Sequence, residues 1–242
     1  MEIKLILNQS LLPKLANAYA FSVVKRLISL GDKSLYREYY EENPKDKKPF
    51  SFSLSYRGSF TGEFFLLDRN PVLRISTTNA RLLKALLRGI EEFGSYEFYL
   101  SEHLKDTATL KLISVQKKII SNILQMDSFL LPYRAYDFIE KTKGMSLEEK
   151  VRFYFREKGL TVKHIYWLKK KKLLWHKIRE DVFPVEPIGL RVKVGARDKQ
   201  TLIELTYNGL GWLKSEGFGY VVPVRKKVEV IRNGGDLDKS KL

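Results

Sequence analysis

Four glycines fall within eleven positions of the stretch Asn208-Gly209-Leu210-Gly211-Trp212-Leu213-Lys214-Ser215-Glu216-Gly217-Phe218-Gly219-Tyr220. Glycine reaches positive φ without a Cβ penalty, and successive main-chain N–H groups in such turns can cradle a phosphate. Gly209, Gly211, Gly217 and Gly219, with Lys214 between them as a cation, are therefore the first candidates for contact with a phosphate-bearing partner. A Walker loop would end in Gly-Lys-Ser/Thr, and a dinucleotide fingerprint would join the first strand and helix of a unit; this stretch does neither. Trp212 and Phe218 bracket the loop. An exposed aromatic ring there can stack on an unpaired base, at about 1–3 kcal/mol each, whereas a buried one anchors the loop. Trp212 is assigned to base or sugar contact and Phe218 to packing.

The densest positive cluster is Lys169, Lys170, Lys171 and Lys172, followed by Lys177 and Arg179. On a strand hairpin, alternate side chains share a face, and such a cluster has two readings: a track for a polyanion backbone, or a solubilising turn that protects a sheet edge. The second is the usual meaning of such a run, and the charge of the whole chain brings the first level with it. With 44 Lys+Arg against 28 Asp+Glu, its net charge is +16, which calls for a polyanionic partner. The three histidines, His103, His164 and His176, lie at or near strand positions, and His164 and His176 lack acidic or Cys partners at ligand spacing, so no metal site is expected. No other cofactor is expected. The absence of Cys removes disulfides, thiolate metal sites and cysteine nucleophiles, and fits a reducing, cytoplasmic setting. No apolar run is long enough to span a bilayer, and the first residues read as a strand instead of a signal peptide.

The elements that must position these residues follow from periodicity. Glu2 to Leu7 alternates polar and apolar, the pattern of a half-buried strand. Asn8, Gln9 or Ser10 is expected to cap a helix with Pro13 in its first turn and an apolar stripe from Leu12 to Leu30, ended by Gly31. A short helix from Ser34 to about Glu42 and a loop rich in Pro and Lys follow. Phe50 to Leu54 alternates strictly, Phe60 to Leu67 reads as its neighbour and Val72 to Ser76 as a further short strand. A cap at Thr77, Thr78 or Asn79 opens a helix that stops near Gly94, and strands at Tyr96 to Leu100 and Thr109 to Val115 complete a βαββαβ order.

That order recurs. Lys118 to Leu131 is strand-prone, and Ser146-Leu147-Glu148-Glu149 is a capping-box signature opening a helix that Gly159 closes. Val162 to Lys169 and Leu173 to Glu180 are expected to pair across the Lys turn. A strand at Ile188 to Val194, a helix from about Asp198 to Tyr207, the glycine loop and a strand at Tyr220 to Val224 complete the second copy. The predicted fold is α+β, two tandem ferredoxin-like (βαββαβ) domains at residues 1–122 and 123–230, with a polar tail at 231–242.

The spacing Gly-x-Gly-x5-Gly-Phe-Gly from Gly209 to Gly219 resembles the glycine-rich loop of the CRISPR-associated endoribonucleases that process repeat RNA, within the RAMP superfamily. Lys48-Pro49-Phe50-Ser51-Phe52-Ser53 resembles the Pro-Phe-Thr-Phe-Ser segment of the same family. The resemblance implies an antiviral protein that binds precursor CRISPR repeat RNA through the loop and a basic interdomain cleft. It also implies metal-independent cleavage to a 2′,3′-cyclic phosphate, which needs a base, an acid and a cation beside the phosphorane. Other Cas proteins enter as partners under the alternative, a non-catalytic RAMP subunit that coats guide RNA within an interference complex.

One departure bears on activity. Residues 1–102 contain no His, and aligning Tyr40-Glu41-Glu42 with the family's segment puts Tyr40, with Tyr39 as the alternative, where the catalytic His is expected, with Lys47 as the nearby cation beside Lys45 and Lys48. A phenol ordinarily titrates near 10 against about 6.5 for imidazole, so at neutral pH it is the poorer base by more than three units. The resemblance therefore implies holding RNA more directly than cutting it.

Overall fold

The computed structural model describes residues 1–44, 48–100, 104–132, 135–168, 174–178, 181–196, 198–211, 213, 215 and 217–222, with backbone alone for 174–178 and 181–184. The first half runs β1 (Glu2–Asn8), β2 (Leu11–Pro13), α1 (Ala16–Gly31), α2 (Lys33–Arg37), one π-helical turn (Glu38–Glu42), β3 (Phe50–Phe60), β4 (Phe64–Thr77), α3 (Ala80–Glu91), β5 (Ser95–Tyr99) and β6 (Lys105–Gln116). Its central strands lie in the order β3-β4-β1-β6, all antiparallel, with β2 added to β4 and β5 to β6. The second half runs β7 (Ile123–Phe129), α4 (Tyr136–Lys141), α5 (Leu147–Glu157), β8 (Leu160–Trp167), β9 (Leu174–Ile178), β10 (Asp181–Val185), β11 (Ile188–Ala196), α6 (Lys199–Asn208) and β12 (Val221–Val222). Its sheet has the order β12-β7-β11-β8, again antiparallel. Numbered within each βαββαβ unit, both orders are 2-3-1-4 or its reverse, so the expected tandem ferredoxin-like fold is present.

Each sheet buries one face beneath helices. Ile3, Leu5, Leu7, Phe50, Phe52, Leu73 and Ile75 meet the apolar stripes of α1 and α3, while Leu124, Met126, Leu190, Val192 and Val194 meet Val151, Tyr154 and Phe155 of α5. The period of two in the strands and the i, i+3, i+4 spacing in the helices specify this division. Helix starts follow the expected chemistry: the Asn79 side chain accepts from Leu82 N–H at 2.9 Å, and Asp198 accepts from Thr201 N–H at 2.7 Å. Ser146 and Glu149 close a reciprocal capping box. Helices α1 and α3 cross at two glycines. A Cβ on Gly31 would lie 1.8 Å from Ala85 O, and one on Gly89 would lie 1.9 Å from Leu27 O.

Several expected boundaries move. Leu15, not Asn8, Gln9 or Ser10, precedes α1, because Leu11–Pro13 first adds a short strand to β4. The expected strands Phe60–Leu67 and Val72–Ser76 are one strand, β4, turning from β3 at residues 61–63. Pro71 lies on β4 where the β3 register shifts between Ser55 and Arg57, so the missing N–H is accommodated at an irregularity. The expected pairing of residues 162–169 with 173–180 does not form: β8 pairs with β11, and β9 pairs with β10 as a separate hairpin. The expected strand from Lys118 starts at Ile123, and α4 was not foreseen. No described helix is long and apolar enough to cross a membrane. The 231–242 tail lies outside the described residues.

Candidate nucleic-acid interface

The uncovered faces of the two sheets flank a cleft of roughly 910 Å³. From the first sheet come Lys4 of β1, Arg74 of β4, and Ser53 and Ser55 of β3; from the second come Asp127 of β7 and Val222 of β12. Lys4 stands directly opposite Arg74, and Arg74 opposite Ser53, so one cross-strand row holds two cations and a hydroxyl. Arg74 Nη1 donates to Ser55 Oγ at 3.2 Å. Lys117, between the sheets, Asn17 and Gly217 also line it, as does the Glu2 carboxylate. Cations on a concave surface with hydroxyl and amide groups suit a phosphodiester backbone.

Below the cleft, one buried ammonium joins the two halves. Lys118 Nζ donates to Ser76 Oγ at 2.9 Å, Thr206 O at 3.0 Å and Val221 O at 2.9 Å, and lies 3.7 Å from the Tyr220 ring centre. Its own N–H donates to the Tyr207 hydroxyl at 2.7 Å, and Ser51 and Ser76 both donate to Tyr207 O. Three acceptors match the three N–H bonds of an ammonium. Burial nevertheless pushes Lys118 down to about 7, with the Glu2 carboxylate opposing and Arg74 adding to the shift. Tyr220 donates to Glu2, and burial followed by that carboxylate holds its phenol well above the usual value.

The glycine loop is built into this seam. Gly209 N–H donates to Leu205 O at 3.0 Å, Gly211 N–H to the Tyr154 hydroxyl at 2.8 Å and Gly219 N–H to Ser128 O at 2.6 Å. Those three amides are spent within the protein and do not form a phosphate cradle as found. Their φ values are positive, and a Cβ on Gly219 would lie 1.4 Å from Leu210 O. Gly217 is the loop glycine that lines the cleft. Phe218 is buried, as expected, whereas Trp212 and Lys214 lie outside the described residues.

The expected catalytic position belongs to a different cluster. Tyr40 sits on the π-helical turn, with its ring centre 5.2 Å from that of Tyr36 and 5.9 Å from that of Phe21 on α1. Lys25 Nζ lies 4.8 Å from the centre of the Tyr40 ring. Lys48, nearly buried, donates from Nζ to Asn43 O at 2.7 Å and Pro44 O at 3.1 Å, closing the loop after the turn. The turn is tied to α3 by Arg81, which reaches Asp32 at 3.0 Å and Glu38 at 2.9 Å. Hydrogen bonding to Arg81 and to Leu35 N–H holds the Asp32 carboxyl well below the usual range. Lys47 and Lys45 lie outside the described residues.

Lys177 is on β9, its Cα opposite Val182, and that hairpin comes against α1. Lys169, Lys170, Lys171, Lys172 and Arg179 lie outside the described residues. His164 is exposed on β8; His176 is on β9, opposite Phe183. The sequence reading missed Lys4, Arg74, Lys117 and Lys118. The alternation of Glu2-Ile3-Lys4-Leu5 places Lys4 on the polar face, but only the strand register reveals Arg74 beside it.

No protein-family model and no curated protein matches the chain. Solved structures do. A structure titled CRISPR associated protein Cas6 superposes with TM-score 0.56 at 22% identity, covering 93% of this chain and 99% of the other. A RAMP protein described as binding different RNA substrates gives 0.58 at 17%, covering 93% and 98%. A Cas6-related protein from Pyrococcus furiosus gives 0.60 at 16%, with the same coverage. At these identities the likeness is one of fold: over nearly its whole length the chain has the paired ferredoxin-like architecture of the Cas6 and RAMP structures.

Proposed function

We propose that the protein is a cytoplasmic CRISPR repeat-RNA-binding protein, with residues 1–122 and 123–230 as two units gripping the RNA between them. The observation that carries this reading is the Lys4–Arg74 row lining a two-sheet cleft, with Lys117 and Gly217 lining it as well. The RNA bound by the similarly folded RAMP protein and the repeat-RNA motifs at Gly209–Gly219 and Lys48–Ser53 support the choice of polyanion.

Cleavage is a second reading, favoured by one observation: Lys25 Nζ stands over the ring of Tyr40, a cation beside the position aligned with the catalytic residue, although the Tyr40 hydroxyl is buried and RNA would have to uncover it to use it. Incubating the purified chain with repeat RNA in EDTA separates the two. Binding that falls about tenfold or more in a Lys4→Ala/Arg74→Ala double variant supports the cleft, at the scale of charge-assisted contacts; unchanged binding rejects it. A single product ending in a 2′,3′-cyclic phosphate, slowed about 100-fold or more by Tyr40→Phe, supports cleavage there. Intact RNA bound without product leaves the protein a binder only.

A further inference from the structure

The uncovered face of the second sheet continues away from the cleft, and its side chains change character along the way. Gln125 stands opposite Val222 at the cleft, Arg191 opposite Gln125, and Tyr166 opposite Arg191, forming one row across β12, β7, β11 and β8. Arg191 donates to Gln125 Oε1 from Nε at 3.0 Å and from Nη2 at 2.7 Å, which fixes the guanidinium in the row. The next row sets His164 opposite Lys193. A register shift between Lys193 and Val194 turns His164 and Tyr166 to this face while Val162 and Ile165 pack toward the core. The His164 and Tyr166 rings are 6.4 Å apart and tilted by 36°, and Tyr166 is 54% exposed.

We infer that this face is a stacking platform for an unpaired RNA segment leaving the cleft. The inference rests on the proposal that the partner is RNA, and names the part of it held here. Two adjacent exposed rings offer π-faces to successive bases, while Arg191 and Lys193, each opposite one of them, supply cations for the connecting phosphates. Strands lie about 4.8 Å apart, so the row from β12 to β8 spans about 14 Å, room for two or three nucleotides. Duplex RNA, whose bases are already stacked, has no use for the rings.

The test uses the full chain, a fluorescein-labelled oligoadenosine octamer and an abasic ribose-phosphate strand of the same length. Tyr166→Ala is expected to weaken octamer binding about tenfold and leave the abasic strand unchanged, while Tyr166→Phe, which keeps the ring, binds the octamer as the parent does. Arg74→Ala in the cleft is expected to weaken both strands. Octamer binding unchanged in Tyr166→Ala, with Arg74→Ala still weakening both, overturns the platform and leaves the cleft standing. Failure of the parent chain to bind either these strands or repeat RNA overturns both. Equal losses on the octamer and the abasic strand in a Tyr166→Ala protein with parental thermal unfolding also overturn the platform, since stacking requires a base.

Discussion

Lys118 joins the two sheets through groups that are far apart in sequence: Ser76 belongs to the first sheet's edge of the seam, and Thr206 and Val221 to the second half. Its folded titration near 7 lies below the ordinary lysine value of 10.5 because burial penalises the charge. Between those pH values the unfolded chain holds a proton that the folded chain has released, so stability rises with pH at up to about 1.4 kcal/mol per unit from this group. Its charged form is fully hydrogen-bonded but costs stability below about pH 7. Urea unfolding of the parent and of Lys118→Met from pH 6 to 10 is expected to show that rise in the parent and a flatter profile in the variant. Parallel profiles would refute the assignment. Tyr40 offers a contrast: its alignment position was visible in the sequence, but its neighbours Phe21 and Lys25 come from α1, one or more turns into a helix whose rotation the sequence left open.

Among the elements, the glycine loop and the α1–α3 crossing are held by close backbone approach. Gly219→Ala forces a methyl against Leu210 O, and Gly89→Ala forces one against Leu27 O in the first half. Each is expected to cost about 1–3 kcal/mol or more in chemical denaturation, the range for overpacking a filled site. A Gly219→Ala protein with parental stability would contradict the loop packing described here. The glycine spacing was legible in the sequence, but its meaning was divided: Gly209, Gly211 and Gly219 use their amides within the protein, while Gly217 faces the cleft. The caps at Ser146 and, among three candidates, Asn79 were legible because each acts within four residues, while at Asp198 the sequence marked the helix start alone. The pairing of β8 with β11 was not. Residues 162–169 and 173–180 had the pattern of a local hairpin, and alternation alone does not distinguish a neighbouring partner from one beyond an inserted hairpin.

For the whole molecule, the surplus of +16 is partly resolved into places. Lys4, Arg74 and Lys117 line a cleft between sheets, whereas other cations, such as Arg152 paired with Glu148 at 2.7 Å, serve local structure. If the proposed RNA reading holds, affinity for repeat RNA is expected to fall steeply with salt. For a single-stranded segment, removing Lys4 and Arg74 together should reduce the slope of log affinity against log salt by about 1.4, at roughly 0.7 per phosphate contact. A lower affinity with an unchanged slope would mean that those side chains act through structure and not through phosphate. The repeated order of strands and helices was visible because each copy carries its own periodicity. A basic interdomain cleft followed from the resemblance, but the residues that line it were not legible, since their proximity depends on both sheets at once.

The seam also gives synthesis a direction. Ser51, Ser76 and Lys118 leave the ribosome well before Thr206, Tyr207 and Val221, the groups that satisfy them in the finished protein. A nascent first sheet can fill its helix-covered core while the row under the future cleft still relies on water for its hydrogen bonds. Emergence of α6 and the glycine loop then exchanges that water for fixed partners, so the last stretch of the described chain closes a junction begun near its start.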